Sequence, residues 1–257
     1  LIQLAEGVAN SSTVEVDLQA LIFTVQRGDK ADIAVIHVAV VVVFDLHDLV
    51  AHAEYLAVLF DTVVNLVKTR LPRKFNVDAV RDIQVLCPMN RGITGARGLN
   101  QALQAALNTP GDHSIEKYGQ VFSVGDKVMQ IENNYDRDVY NGDIGFVAAL
   151  DREDESLQVN FDGRAVSYPL SELDELSLCY ATTIHKSQGS EYPVVIIPLS
   201  TQHYMMLRRN LIYTGVTRGK RLVVLVGQKR ALGMAIRDRQ TRPRCSKLRE
   251  RLAELPR

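Results

Sequence analysis

The sequence predicts an α/β domain interrupted by a small antiparallel β-barrel. Two observations carry this. Short apolar, β-branched runs alternate with helix-period segments before residue 116 and after residue 176, the texture of a parallel sheet with helices on it. Between them, segments of about five residues follow one another across turn dipeptides such as Asn141-Gly142 and Asp162-Gly163. With 257 residues, 46% of them hydrophobic, the chain is long and apolar enough to build a real core, which excludes wholesale disorder.

Taken in order, residues 33–43 read as a buried strand. Leu56, Leu59, Phe60, Val63, Val64 and Val67 share a helical face that is expected to stop near Pro72. A strand at 83–87 ends at Pro88, a Gly-containing loop spans 91–98, and a helix covers 99–107 before Pro110-Gly111. The barrel is placed at 116–176 as an insert with its own turns and core. Strands then follow at 178–182, 194–198 and 221–226, with a helix over 206–217.

Cys87, Cys179 and Cys245 are far apart, so neither a zinc site nor a disulfide framework is expected. The longest apolar run, 33–44, is well short of the roughly 20 residues of a membrane span. A cytoplasmic protein with no membrane partner is expected. The chain begins at Leu1 without Met and reads as part of something longer. Its 30 basic and 30 acidic residues cancel, but residues 208–257 hold 15 Lys and Arg against 3 Asp and Glu, whereas 116–176 hold 5 against 14. The basic end suits an anionic partner such as phosphate or nucleic acid; a solvated Arg-rich tail is the plainer alternative.

Two stretches concentrate chemistry. In 181–193, Thr182, Thr183, His185, Lys186 and Ser187 supply hydroxyls, an imidazole and a cation that suit phosphate oxygens, and Gly189 lets a ligand approach the backbone. In 211–226, Arg218 stands where a helix gives way to a buried strand. A fixed guanidinium there suits charge on a transferred phosphoryl group, or else neutralises the helix C-terminus.

Together TIHKSQGSEYPVVIIPL (183–199) and LIYTGVTRGKRLVVLVG (211–227) resemble motifs V and VI of superfamily 1 helicases, most closely the RecD-like, exodeoxyribonuclease V alpha-type branch. RDIQVLCPMNRGITGARGLN (81–100) is similar to that family's stretch before its barrel, and GDKVMQIENNYDRDVYNGDIGFV (125–147) to the opening of its SH3-like insert. The resemblance covers about residues 61–230. It implies a RecA-like, P-loop-NTPase-type second motor domain, at 61–115 and 177–257, from an ATP-driven 5′-to-3′ DNA helicase. On that resemblance Arg218 reaches the γ-phosphate and Gln188, Gly189 and Glu191 border the ATP. Asn90, Arg91, Thr182, Thr183, His185, Lys186 and Ser187 then lie along single-stranded DNA, and Lys127, Tyr135 and Arg137 are the expected contacts of the insert.

The sequence departs from the family pattern in two places. No G-x-x-x-x-G-K-[ST] occurs, so the phosphate-cradling lysine and the Mg²⁺ site of a complete ATPase are expected in a missing N-terminal RecA-like domain. Residues 1–60 carry no resemblance to the family and stay unassigned. The chain alone is expected to be inactive, with nuclease or helicase subunits as further partners of the parent. A non-enzymatic single-stranded nucleic-acid-binding module is the competing class.

Overall fold

A computed structural model describes residues 21–27, 34–42, 52–111 and 114–238. Its centre is a six-stranded sheet in the order β1-β2-β13-β12-β3-β11. The strands are β1 (Leu21–Arg27), β2 (Ala34–Val42), β3 (Ile83–Cys87), β11 (Ala181–Thr183), β12 (Tyr192–Leu199) and β13 (Gly219–Gly227). All neighbours run parallel except the antiparallel pair β1–β2.

Alternation along the strands feeds two cores, as a period of two requires. Val85, Val194, Ile196, Leu222 and Val224 face one cluster. Leu86, Val195, Ile197, Val223 and Leu225 face the other. The first is covered by α1 (His52–Asn65) and α3 (Ala96–Leu107), which contribute Leu56, Leu59, Val63, Leu99 and Leu103. The second is covered by α4 (Arg209–Val216) and α5 (Lys229–Arg237), through Leu211, Ile212, Leu232 and Ile236. A sheet covered on both faces explains why β12 and β13 read as unbroken apolar runs. Each fully buried aliphatic side chain contributes roughly 1.5–3 kcal/mol.

Several expectations need correction. The strand expected at 33–43 is β2, and it lies beside β13 with His37 opposite Leu222. Residues before 61 therefore contribute two strands to the motor sheet. Pro72 does not stop the helix: α1 passes through a π-helical turn at Leu66–Arg70 into α2 (Leu71–Phe75). Pro72 sits in the first turn of that new segment, where its missing N–H costs nothing. The strand expected at 178–182 is split between two sheets. β10 (Leu176–Leu178) pairs with barrel strand β6 (Lys127–Gln130), and β11 pairs with β3. The helix expected over 206–217 starts later, at Arg209, because Met206 and Leu207 close a turn onto His203 O and Arg208 is extended before the helix.

The insert comprises the hairpin β4 (Ser114–Lys117) and β5 (Gln120–Ser123) and a five-stranded antiparallel sheet in the order β10-β6-β7-β8-β9. That sheet includes β6 (Lys127–Gln130), β7 (Ile144–Asp151), β8 (Ser156–Phe161) and β9 (Arg164–Pro169). Asp162 and Gly163 both take positive φ, 47° and 93°, and form the two-residue turn expected from their sequence. The barrel's interior, including Val128, Leu157, Val159 and Tyr168, is continuous with the cluster under α1 and α3, so the insert does not have a core of its own. Among the described residues no helix is long and apolar enough to cross a membrane. Cys245 and the basic residues beyond 238 lie outside the described residues.

Candidate nucleotide and nucleic-acid surfaces

Parallel strands give the sheet two chemically different edges. β3 and β11 end together, Thr183 level with Cys87, while β12 and β13 begin at the opposite edge, Tyr192 level with Gly219. Residues 184–191 join β11 to β12 and so cross from one edge to the other. Along β3 alone that distance is about 13 Å.

At the edge where β12 and β13 begin, Arg218 is held in place. Its Nε donates to Thr214 O at 3.2 Å, Nη1 to Ser190 O at 3.1 Å and Nη2 to Thr217 Oγ1 at 3.2 Å. The Ser190 bond draws the end of the crossover against the arginine, so Gln188, Gly189 and Glu191 gather beside it. Lys220 approaches Glu191 at 3.8 Å. Gln188 and Gly189 are exposed, and nothing lies within 4 Å of where a Cβ on Gly189 would stand. The edge therefore offers one positioned cation, backbone groups and open space. These residues fit one half of a nucleotide-phosphate site. Among the described residues no three His, Cys, Asp or Glu gather as metal ligands.

At the other edge Asn90 and Arg91 are exposed in the loop after β3, and His185 and Lys186 are exposed at the start of the crossover. This loop closes tightly. A Cβ on Gly95 would stand 2.5 Å from Arg91 O and 2.7 Å from Asn90 O, so only glycine permits the fold-back that starts α3. Thr183 is half-buried, and its Oγ1 accepts from Lys186 N at 3.3 Å.

Four of the expected contacts, Thr182, Ser187, Lys127 and Arg137, are buried or engaged within the protein. Thr182 is buried within β11. Ser187 is buried and donates its hydroxyl to Ile184 O at 2.8 Å, closing the turn from inside. Lys127 is only 2% exposed, its Nζ donating to Ile83 O at 3.2 Å beside the Tyr192 ring, because every position of β6 is buried. Burial brings its ammonium down to about 8. Arg137 is half-buried, bonded to Glu172 at 2.5 Å and packed over Tyr168. Tyr135, by contrast, is 76% exposed and stands edge-on to Tyr140.

His203, outside the motif positions, is 3% exposed. Its Nδ1 accepts from Ser200 N at 3.3 Å, which assigns the proton to Nε2, and Nε2 donates to Thr94 Oγ1 at 3.2 Å. This ties the loop holding Asn90 and Arg91 to the segment leading into α4. Ser200 three residues before His203 is a helix-start signature that was legible in the sequence. Burial lowers the imidazole to about 4, below its ordinary 6.5. The unfolded chain therefore binds the extra proton between these values, and stability is full above 6.5 and lost as pH falls towards 4. From pH 7 to pH 5 the unfolding free energy should drop by about 2 kcal/mol through this residue. Denaturant titrations of wild type and His203→Gln should show that dependence shrinking in the variant.

Residues 99–161 match the SH3 domain of ATP-dependent RecD-like DNA helicases, and residues 178–226 match the UvrD-like helicase C-terminal domain. The chain is 39% identical over 170 residues to the ATP-dependent RecD2 DNA helicase of Deinococcus radiodurans, covering 66% of this chain and 23% of that protein. It is 33% identical over 169 residues to the RecBCD enzyme subunit RecD of Mycolicibacterium smegmatis, covering 66% and 29%. It is also similar to the crystal structure of Pif1 helicase from Candida albicans, at 17% identity and a TM-score of 0.42, over 67% of this chain and 54% of that one. Both matched domains are helicase domains, and these matches together support a RecD-like helicase C-terminal part. The chain spans about a quarter of the length of these curated relatives.

Proposed function

We propose that this chain is the C-terminal motor part of an ATP-dependent 5′-to-3′ DNA helicase of recombination or repair, supplying the arginine finger and part of the single-stranded DNA track. The observation that carries the reading is the bond from Arg218 to Ser190 O, which joins the two helicase motifs at one sheet edge. ATP and its Mg²⁺ supply the phosphoryl-transfer chemistry that drives such a motor. Arg218 offers a fixed positive charge to the phosphates, while Gln188, Gly189 and Glu191 border them. Asn90, Arg91, Thr183, His185 and Lys186 lie along the strand at the opposite edge, and Tyr135 on the barrel stacks on a base. The missing N-terminal RecA-like domain completes the ATP site with its lysine and metal ligands, so this chain alone hydrolyses nothing. Nuclease or helicase subunits are further partners of the parent.

The second reading, a non-enzymatic strand-binding module, is favoured by one fact: three N–H groups of Arg218 are already engaged by Thr214, Ser190 and Thr217. Fluorescence anisotropy with a labelled oligothymidine tests the track that both readings share. Affinity should fall steeply with salt, because the contacts are to phosphates. Arg91→Ala and Lys186→Ala should each weaken binding several-fold. Salt-independent binding, or full affinity in both variants, would count against the track.

A further inference from the structure

Asn100 and Gln104 lie four apart on one face of α3, and Asn108, four residues further on, is the C-cap of that helix. All three amides grip the barrel or its root. Asn100 Nδ2 donates to Leu178 O at 2.9 Å and Ala181 O at 2.8 Å, and its Oδ1 accepts from Ala181 N at 2.7 Å. Gln104 Nε2 donates to Val121 O at 2.8 Å and to Asp126 Oδ2 at 2.5 Å. Asn108 Nδ2 donates to Val124 O at 3.0 Å and to Asp126 Oδ1 at 2.8 Å.

Asp126, 0% exposed, is where the grips of Gln104 and Asn108 meet. It also accepts from Ser123 N at 2.7 Å on Oδ2 and from Tyr180 OH at 2.7 Å on Oδ1. Each carboxylate oxygen thus takes two donors, which fills its capacity with neutral partners. An asparagine there would turn an N–H group towards other donors. Two further contacts cross the same junction: Lys127 Nζ to Ile83 O, and the Arg81 guanidinium 4.7 Å above the Phe146 ring. Apolar contact between barrel and motor domain is non-directional, so it holds the two together without by itself selecting an angle. A saturated buried network fixes an angle.

We propose that Asn100, Gln104, Asn108 and Asp126 are positioning residues that lock the barrel to the motor domain as a rigid arm and set the angle at which Tyr135 meets the strand. The lock stands on these contacts, and the role of the tip rests on the function proposed above. The test uses the full chain with Cys245→Ser and spin labels at Asn133→Cys on the barrel and Arg230→Cys on α5, leaving the buried Cys87 and Cys179 in place. Double electron–electron resonance should give one narrow distance distribution, which Gln104→Leu with Asn108→Leu should broaden while the motor domain still unfolds cooperatively. If that pair does not fold, Asn108→Ala alone should broaden it in part.

In oligothymidine binding, Asn108→Ala and Tyr135→Ala should each cost about tenfold, and the two together little more than either one. Simple local destabilisation would not produce that non-additivity. A broad distribution in the wild type, an unchanged one in every variant that folds, or additive losses would overturn the lock. Absence of oligothymidine binding in the wild type would remove the strand-binding role alone, and the resonance measurement would still decide whether the arm is rigid.

Discussion

Replacing Arg218 with alanine in a full-length helicase that contains this chain should slow ATP hydrolysis by roughly 10³-fold or more, the scale set by arginine fingers. Single-stranded DNA affinity should stay within about twofold. The two effects separate because Arg218 sits where β12 and β13 begin, whereas Arg91 and Lys186 leave from the opposite edge. Three of its N–H groups hold it to Thr214, Thr217 and Ser190, and a guanidinium has five. The remaining two are available for a phosphate without dismantling the anchor. Arg218→Lys should rescue little, since lysine keeps the charge and loses the planar fork. Steady-state ATPase assays beside anisotropy titrations measure both quantities. Normal hydrolysis by a folded Arg218→Ala protein would make Arg218 a helix-end residue whose charge offsets the carbonyls of α4.

Gly227→Ala should be the most damaging Gly→Ala change among the described residues, costing about 3 kcal/mol or more and lowering Tm by roughly 10 °C. Gly227 ends β13 with φ at +146°, and a Cβ there would stand 1.8 Å from Leu199 O, a backbone atom of the paired strand. No rotamer relieves a clash between two backbones. Gly233→Ala in α5 is the matched control, because nothing lies within 4 Å of its Cβ position and alanine favours a helix by up to about 1 kcal/mol. Thermal and urea unfolding of the pair would compare them directly. A Gly227→Ala chain as stable as the control would mean that these strand ends do not approach as described.

The elements that sequence periodicity located well are those whose cause is local. Continuous β-branched runs gave β12 and β13, α3 stood out by its spacing, and Asp162-Gly163 marked a two-residue turn through its own backbone preferences. What stayed hidden depended on distant partners. Leu178-Cys179-Tyr180-Ala181 is one unbroken apolar run, and only pairing with β6 on one side and β3 on the other divides it between two sheets. Lys127 reads as a surface cation until Ile83 supplies a carbonyl inside. Arg218 and Ser190 are 28 positions apart, so the motifs suggested a shared site while the contact itself had to be seen. The amide stripe on α3 was visible as spacing, but amides on a helix are ordinarily solvated, and its meaning comes from Asp126.

Only Cys179 and Tyr180 separate β10 of the barrel from β11 of the motor sheet. Both are buried, and Gln84 Nε2 holds the carbonyls of both, at 3.1 and 3.2 Å. Two residues reach at most about 7 Å when fully extended, so this joint has almost no slack. Tension applied to the barrel enters β11 at once, and β11 runs straight into the crossover whose last residues rest against Arg218. One short covalent path therefore carries mechanical load from the arm to the opposite edge of the sheet.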